Sequence, residues 1–176
     1  MNIVGTSKIG GDFDLNNLAM SLEGAEYEPE QFPGLIYRIK EPKAAFLIFK
    51  SGKIVCTGTK SATEAQKALD IATSNLKDID FEVLPSPKIE VVNMVASGDL
   101  KAQNLNLNQV AMSLGLENIE YEPEQFPGLV YRLSEPKVVI LIFSTGKVIC
   151  TGARNKENVE LGLTNLHKEL SEHGFL

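Results

Sequence analysis

YEPEQFPGLIYRIKEPKAAFLIFKSGKIVCTG, residues 27–58, returns at residues 121–152 as YEPEQFPGLVYRLSEPKVVILIFSTGKVICTG. The offset is 94 positions, and 22 of the 32 residues are identical. Most differences are conservative, such as Ile36/Val130 and Val55/Ile149. Weaker matches flank the block: Asn2-Ile3-Val4 with Asn93-Met94-Val95, and Leu18-Ala19-Met20 with Val110-Ala111-Met112. The chain therefore reads as two copies of one unit, residues 1–86 and 87–176, joined near Pro85-Ser86-Pro87. The period is too long, and the copies too few, for a solenoid.

Each unit repeats one order of elements. A short strand (Asn2–Ile9; Glu90–Ser97) leads into a short helix (Leu15–Leu22; Leu107–Leu114). Strands follow, punctuated by Pro33-Gly34, Glu41-Pro42-Lys43 and Ser51-Gly52, with Thr145-Gly146 at the last position of the second copy. Glycine supplies positive φ and proline pre-sets a bend, so these read as tight turns between antiparallel strands. A longer helix closes each unit. Ser61-Ala-Thr-Glu64 has capping-box spacing, and Ala65, Leu69, Ala72, Leu76 and Ile79 make an apolar stripe. Val159, Leu163, Leu166 and Leu170 do the same in the second unit. Both stripes require a sheet beneath them.

The strands AAFLIF (44–49) and VVILIF (138–143) are apolar on both faces. Side chains alternate along a strand, so Phe46 and Ile48 share one side, and Ala45, Leu47 and Phe49 the other. Four helices cover one face of a sheet of about ten strands and leave the other open. A broad open apolar face marks an interaction site. Carried through the hairpin, the alternation puts Val55 and Thr57 on that face and turns Ile54 and Cys56 inward. The second copy contributes Leu141, Phe143, Ile149 and Thr151. The adjoining strands offer Ile36 with Arg38 and Val130 with Arg132, and Lys53 and Lys147 stand at the rim. Apolar contact, a few hydroxyls and marginal cations suit a DNA minor groove.

Bulk properties are consistent with this but do not demand it. The 176 residues are 43% hydrophobic and 23% charged, enough for a packed core. No run is apolar enough to span a bilayer and the start MNIVGTSKIGG lacks a signal pattern, so no membrane partner and a cytoplasmic location are expected. Cys56 and Cys150, in matching strand contexts without nearby His, read as buried free thiols. Neither a phosphate loop nor a nucleophile with a base appears, so no catalytic residue, metal or cofactor is assigned. His167 and His173 read as surface residues. A net charge of −6 argues against a phosphate-dominated nucleic-acid binder. Binding through apolar burial removes the conflict, with the acidic excess placed on the helical face and the loops.

The paired E-x-F-P-G-L-[IV]-Y-R, the LIF-x-[ST]-G-K-x-x-x-T-G hairpin and the Asn-Ile-Val opening resemble the TATA-binding protein core, over nearly the whole chain. High identity between the copies and the acidic pI resemble its archaeal members. The resemblance implies an α+β saddle: a curved ten-stranded antiparallel sheet with four helices on the convex face. It implies a non-enzymatic initiation factor that binds TATA-box promoter DNA in the minor groove. That family is itself the standard example of kinking by apolar wedges, so the kinking belongs to the resemblance. On this pattern Phe32 with Phe49 and Phe126 with Phe143 are the intercalating pairs, and YEPEQFPGL is a loop that grips one end of the site. Asn2, Asn93, Thr57 and Thr151 match the central minor-groove contacts, and Val4, Val95, Leu47, Leu141, Val55 and Ile149 the apolar floor. Arg38, Arg132, Lys53 and Lys147 match phosphate contacts. Transcription factor B is the implied partner at Glu122 and Glu124, with RNA polymerase recruited indirectly. Glu28 and Glu30 repeat those glutamates in the first loop, so residues outside the loop must select that partner. The residues alone leave open two rivals: a protein-interaction module using the open face, and an enzyme or carrier for a small apolar ligand. Self-association through that face in the absence of DNA is also open.

Overall fold

A computed structural model describes all residues, Met1–Leu176, and contacts divide them into two compact units, Met1–Val92 and Asn93–Leu176. The first contains β1 (Asn2–Lys8), α1 (Leu15–Ser21), β2 (Ala25–Glu26), β3 (Leu35–Lys40), β4 (Lys43–Ile48), β5 (Lys53–Thr59) and α2 (Ala62–Asp78). Its strands pair in the order β2-β3-β4-β5-β1, every ladder antiparallel. The second repeats the plan with β6 (Glu90–Asp99), α3 (Leu107–Leu114), β7 (Ile119–Glu120), β8 (Leu129–Leu133), β9 (Val138–Ile142), β10 (Lys147–Ala153) and α4 (Lys156–Glu172). Its order is β7-β8-β9-β10-β6, again antiparallel throughout. Ten antiparallel strands and four α-helices make the expected α+β fold. The two-residue edge strands β2 and β7 carry no periodicity and were not separately expected.

Burial alternates along β4 and β9 as the pattern requires. Ala44, Phe46 and Ile48 are buried, as are Val138, Ile140 and Ile142, while Ala45, Leu47, Val139 and Leu141 are half-buried. The Phe46/Ile140 exchange is thus a core exchange. Beneath this face lie the long helices: α2 packs on β1, β4 and β5, and α4 on β9 and β10. Alanines at 65, 68 and 72 let α2 approach closely, and Leu69 and Leu76 fill the remaining space. In α4 the same approach falls to Gly162, where a Cβ would meet Val138 Cγ2 at 2.8 Å. Each fully buried Leu, Ile or Phe of these layers contributes about 1.5–3 kcal/mol of transfer free energy.

Two local expectations are corrected. Ser61 caps α2 through Glu64 N–H at 3.1 Å, but the Glu64 carboxylate accepts from Lys60 N–H at 2.9 Å, one residue ahead of the reciprocal capping-box bond. Satisfying an orphan donor just outside the helix serves the same electrostatic end. Pro33-Gly34 was read with the other glycine turns, yet only Gly52 of the two has positive φ, at 85°. Gly34 is needed for a different reason, given below.

Candidate nucleic-acid interface

The side chains turned away from the helices form continuous cross-strand rows. In the first unit one row runs Glu26, Ile36, Leu47, Val55 and Thr6. Its counterpart runs Glu120, Val130, Leu141, Ile149 and Ser97. A second row aligns Arg38, Ala45 and Thr57, matched by Arg132, Val139 and Thr151. No helix covers these residues; they are half-buried by their neighbours or exposed. Val4 and Val95 lie on the same side of β1 and β6, flanked by the inward Ile3 and Met94.

At the end of each row stands a pair of phenylalanines. Phe32 and Phe49 meet edge to face with centroids 5.9 Å apart, as do Phe126 and Phe143. Phe49 is held by its hairpin: its N–H donates to Lys53 C=O at 3.0 Å, and Gly52 N–H donates back to Phe49 C=O at 2.9 Å. Phe32 is held by its loop, whose Phe32 N–H donates to Glu28 C=O at 3.0 Å. Gly34 lies beneath both rings. A Cβ there would come within 2.7 Å of Phe32 and 3.0 Å of Phe49, and Gly128 stands in the same relation to Phe126 and Phe143. The glycine's missing side chain is therefore the seat of the pair. Phe32 remains 37% exposed and Phe126 40%, high for rings that make an aromatic contact.

The asparagines are oriented by the backbone. Gly58 and Gly152, with φ of 93° and 90°, sit where β5 and β10 slip register against β1 and β6. Such a bulge leaves an N–H without a ladder partner. Gly58 N–H donates to Asn2 Oδ1 at 2.9 Å, and Gly152 N–H to Asn93 Oδ1 at 2.8 Å. An amide whose oxygen is fixed by a donor must present its NH₂ elsewhere. Asn93 Nδ2 approaches Thr151 Oγ1 at 3.3 Å, so amide and hydroxyl form one polar point on the apolar face. A donor at that point suits the acceptor-only minor-groove edge of A·T pairs.

The cations are less uniform. Arg38 pairs with Glu26 at 3.6 Å and Arg132 with Glu120 at 3.5 Å, all four side chains largely exposed. Such pairs are weak and exchange readily with another anion. The two glutamates were overlooked as site residues, although they extend the repeat by one identical position. Lys147 lies 3.2 Å from Asp99. Asp99 also accepts from Lys101 N–H at 2.8 Å, and that bond, then Lys147, holds its carboxyl below the usual range. Lys53 is exposed and unpaired. Glu122 and Glu124 are exposed in the second loop, like Glu28 and Glu30 in the first. Tyr37 is buried and accepts from Asn75 Nδ2 at 2.7 Å. Tyr131 is only half-buried. No helix is long and apolar enough to cross a membrane.

Residues 1–79 and 88–173 match the family model described as Transcription factor TFIID (or TATA-binding protein, TBP). The chain is 54% identical to the TATA-box-binding protein of Picrophilus torridus over 175 residues, covering 99% of this chain and 95% of that one. It is 53% identical to the TATA-box-binding protein of Haloarcula marismortui, covering 99% and 94%. Among solved structures, Methanococcus jannaschii TBP superposes with a TM-score of 0.85 at 50% identity, covering 98% of this chain and 97% of that one.

Proposed function

The chain belongs to the TATA-binding protein family, and from that premise we propose that it is a general transcription initiation factor that binds TATA-box DNA in the minor groove and kinks it. The observation that carries this reading is the Phe pair on its glycine seat, one ring exposed and one half-buried, present once in each unit at the end of an uncovered apolar row.

The steps follow from the side chains. Leu47, Val55, Leu141 and Ile149 lie against sugars and base edges, where apolar burial supplies the driving force. Asn2, Asn93, Thr57 and Thr151 donate to A N3 and T O2. The G amino group would meet the apolar floor without an acceptor, so G·C pairs are disfavoured. Phe32 with Phe49, and Phe126 with Phe143, wedge between base steps at the two ends of one site. Because the rings already rest on each other and on a fixed loop, little ordering is required when they insert. Arg38, Arg132, Lys53 and Lys147 hold flanking phosphates, the arginines exchanging glutamate for phosphate. Glu122 and Glu124 face transcription factor B, through which RNA polymerase is recruited.

Groove choice is tested by base analogues. A duplex with I·C pairs in place of the T·A pairs keeps the minor-groove acceptors and changes the major groove. Binding within a few-fold of the natural TATA duplex is expected, with loss on G·C. Equal loss on I·C and G·C would place the reading in the major groove and overturn the proposal.

A further inference from the structure

The two units carry opposite charges at one equivalent position, and this makes their phosphate-binding rims unequal. Counting from Asn2 and Asn93, the open-face residues of β1 and β6 correspond as Val4 with Val95, Thr6 with Ser97, and Lys8 with Asp99. In the second unit Lys147 is the registered partner of Asp99 and pairs with it at 3.2 Å, with Lys101 Nζ a further 3.7 Å contact on the same carboxylate. In the first unit the registered partner of Lys53 is Lys8. Like charges directly opposite on antiparallel strands repel. Lys88 lines the same indentation, together with the hydroxyl residues Thr6, Ser7 and Ser51, and with Glu90 as its one carboxylate. None of the three lysines forms an ion pair, whereas Lys147 and Lys101 both do.

We propose that Lys8, Lys53 and Lys88 form a phosphodiester site for the backbone of the bound duplex, and that the first unit therefore holds phosphate more strongly than the second. The inference rests on the DNA reading above. An incoming phosphate relieves the Lys8–Lys53 repulsion in the first unit. In the second it must displace Asp99 from Lys147, so little net charge is neutralised. Each phosphate neutralised adds about 0.9 to the slope of log affinity against log salt.

The test is the salt dependence of binding to a short TATA duplex for the full chain and for Lys8→Gln, Lys53→Gln, Lys147→Gln and Asp99→Asn. Lys77→Gln, on an exposed turn of α2, controls for net charge alone. All five positions are exposed or on the sheet surface, and thermal melts check the fold. Lys8→Gln and Lys53→Gln are each expected to lower the slope by a measurable part of that increment, roughly half of 0.9. Lys147→Gln is expected to lower it by less than half as much. Asp99→Asn, which releases Lys147, should raise it. Equal losses for Lys8→Gln and Lys147→Gln, or a Lys8→Gln slope no different from Lys77→Gln, would overturn the inference while leaving the DNA reading intact. A wild type that binds no duplex at all would overturn both.

Discussion

Asn93 shows how much of this site depends on single atoms. Its Oδ1 is committed to Gly152 N–H, so what it offers outward is a donor. Asn93→Asp keeps the inward acceptor and replaces the outward donor by a carboxylate oxygen. The melting temperature is expected to change little, while TATA affinity falls by about 2–4 kcal/mol, because an acceptor then faces acceptors. A titration of the variant against the wild type checks this; unchanged affinity would remove Asn93 from the interface. Gly128 is the second such position. Gly128→Ala places a methyl within 2.8 Å of Phe126 and 3.0 Å of Phe143, and Phe126, which is exposed, has room to move aside. Displaced wedges should lower affinity about tenfold or more, roughly 1.4 kcal/mol, with a smaller effect on stability. The resemblance already implied Asn93 as a minor-groove contact, but the bond that turns its amide outward was not legible in the sequence, nor was the seat that Gly128 provides. Asn93 and Gly152 are 59 positions apart, and Pro-Gly reads as a turn whether glycine is needed for its dihedral or for its missing side chain.

At the scale of the element, β4 separates stability from binding. Phe46 is fully buried and faces the helices, while its neighbour Leu47 faces the open row. Phe46→Ala is expected to cost about 3–5 kcal/mol of stability. Leu47→Ala should cost about 1 kcal/mol or less and fall mainly on DNA affinity. Paired melts and titrations decide it; a Leu47→Ala loss of stability equal to that of Phe46→Ala would mean the row is core. This division is readable in the sequence, because period-two alternation in an all-apolar strand assigns faces once the helices are counted. The edge strands were not readable, since two residues such as Ile119 and Glu120 have no period. With them went the pairing of Arg38 with Glu26 and of Arg132 with Glu120. The exposure of Tyr131 was equally hidden, because its twin Tyr37 has Asn75 of α2 above it and the two helices differ in sequence.

Across the whole molecule, charge and thiols are distributed by unit. α4 sets four glutamates against two lysines, and the loops place Glu28, Glu30, Glu122 and Glu124 outward, whereas Glu26 and Glu120 at the ends of the open rows are paired with Arg38 and Arg132. Each unit also holds one buried cysteine, Cys56 in the first and Cys150 in the second. Burial pushes both thiols up, Cys56 from 9.0 to about 11. The unfolded chain therefore loses the Cys56 proton first as pH rises. Stability from this group is complete below about pH 9 and declines as pH climbs towards 11. Alkylation at pH 8 should be slow in the native state, and it reports opening of each unit separately. Rapid labelling of Cys56 with the fold intact would contradict its burial.

Bending of A·T-rich DNA by phenylalanine pairs on an open sheet is the property on which the proposed function turns. It is tested most directly by energy transfer between dyes at the two ends of a short TATA duplex. The duplex is titrated with wild type and with the Phe126→Ala/Phe143→Ala variant, beside a G·C duplex of equal length. The ends are expected to draw together with wild type on TATA only, and the variant, folded by its melt, to bend the duplex less. An unchanged end-to-end distance with folded wild type would contradict this, and would return the open apolar face to a protein partner.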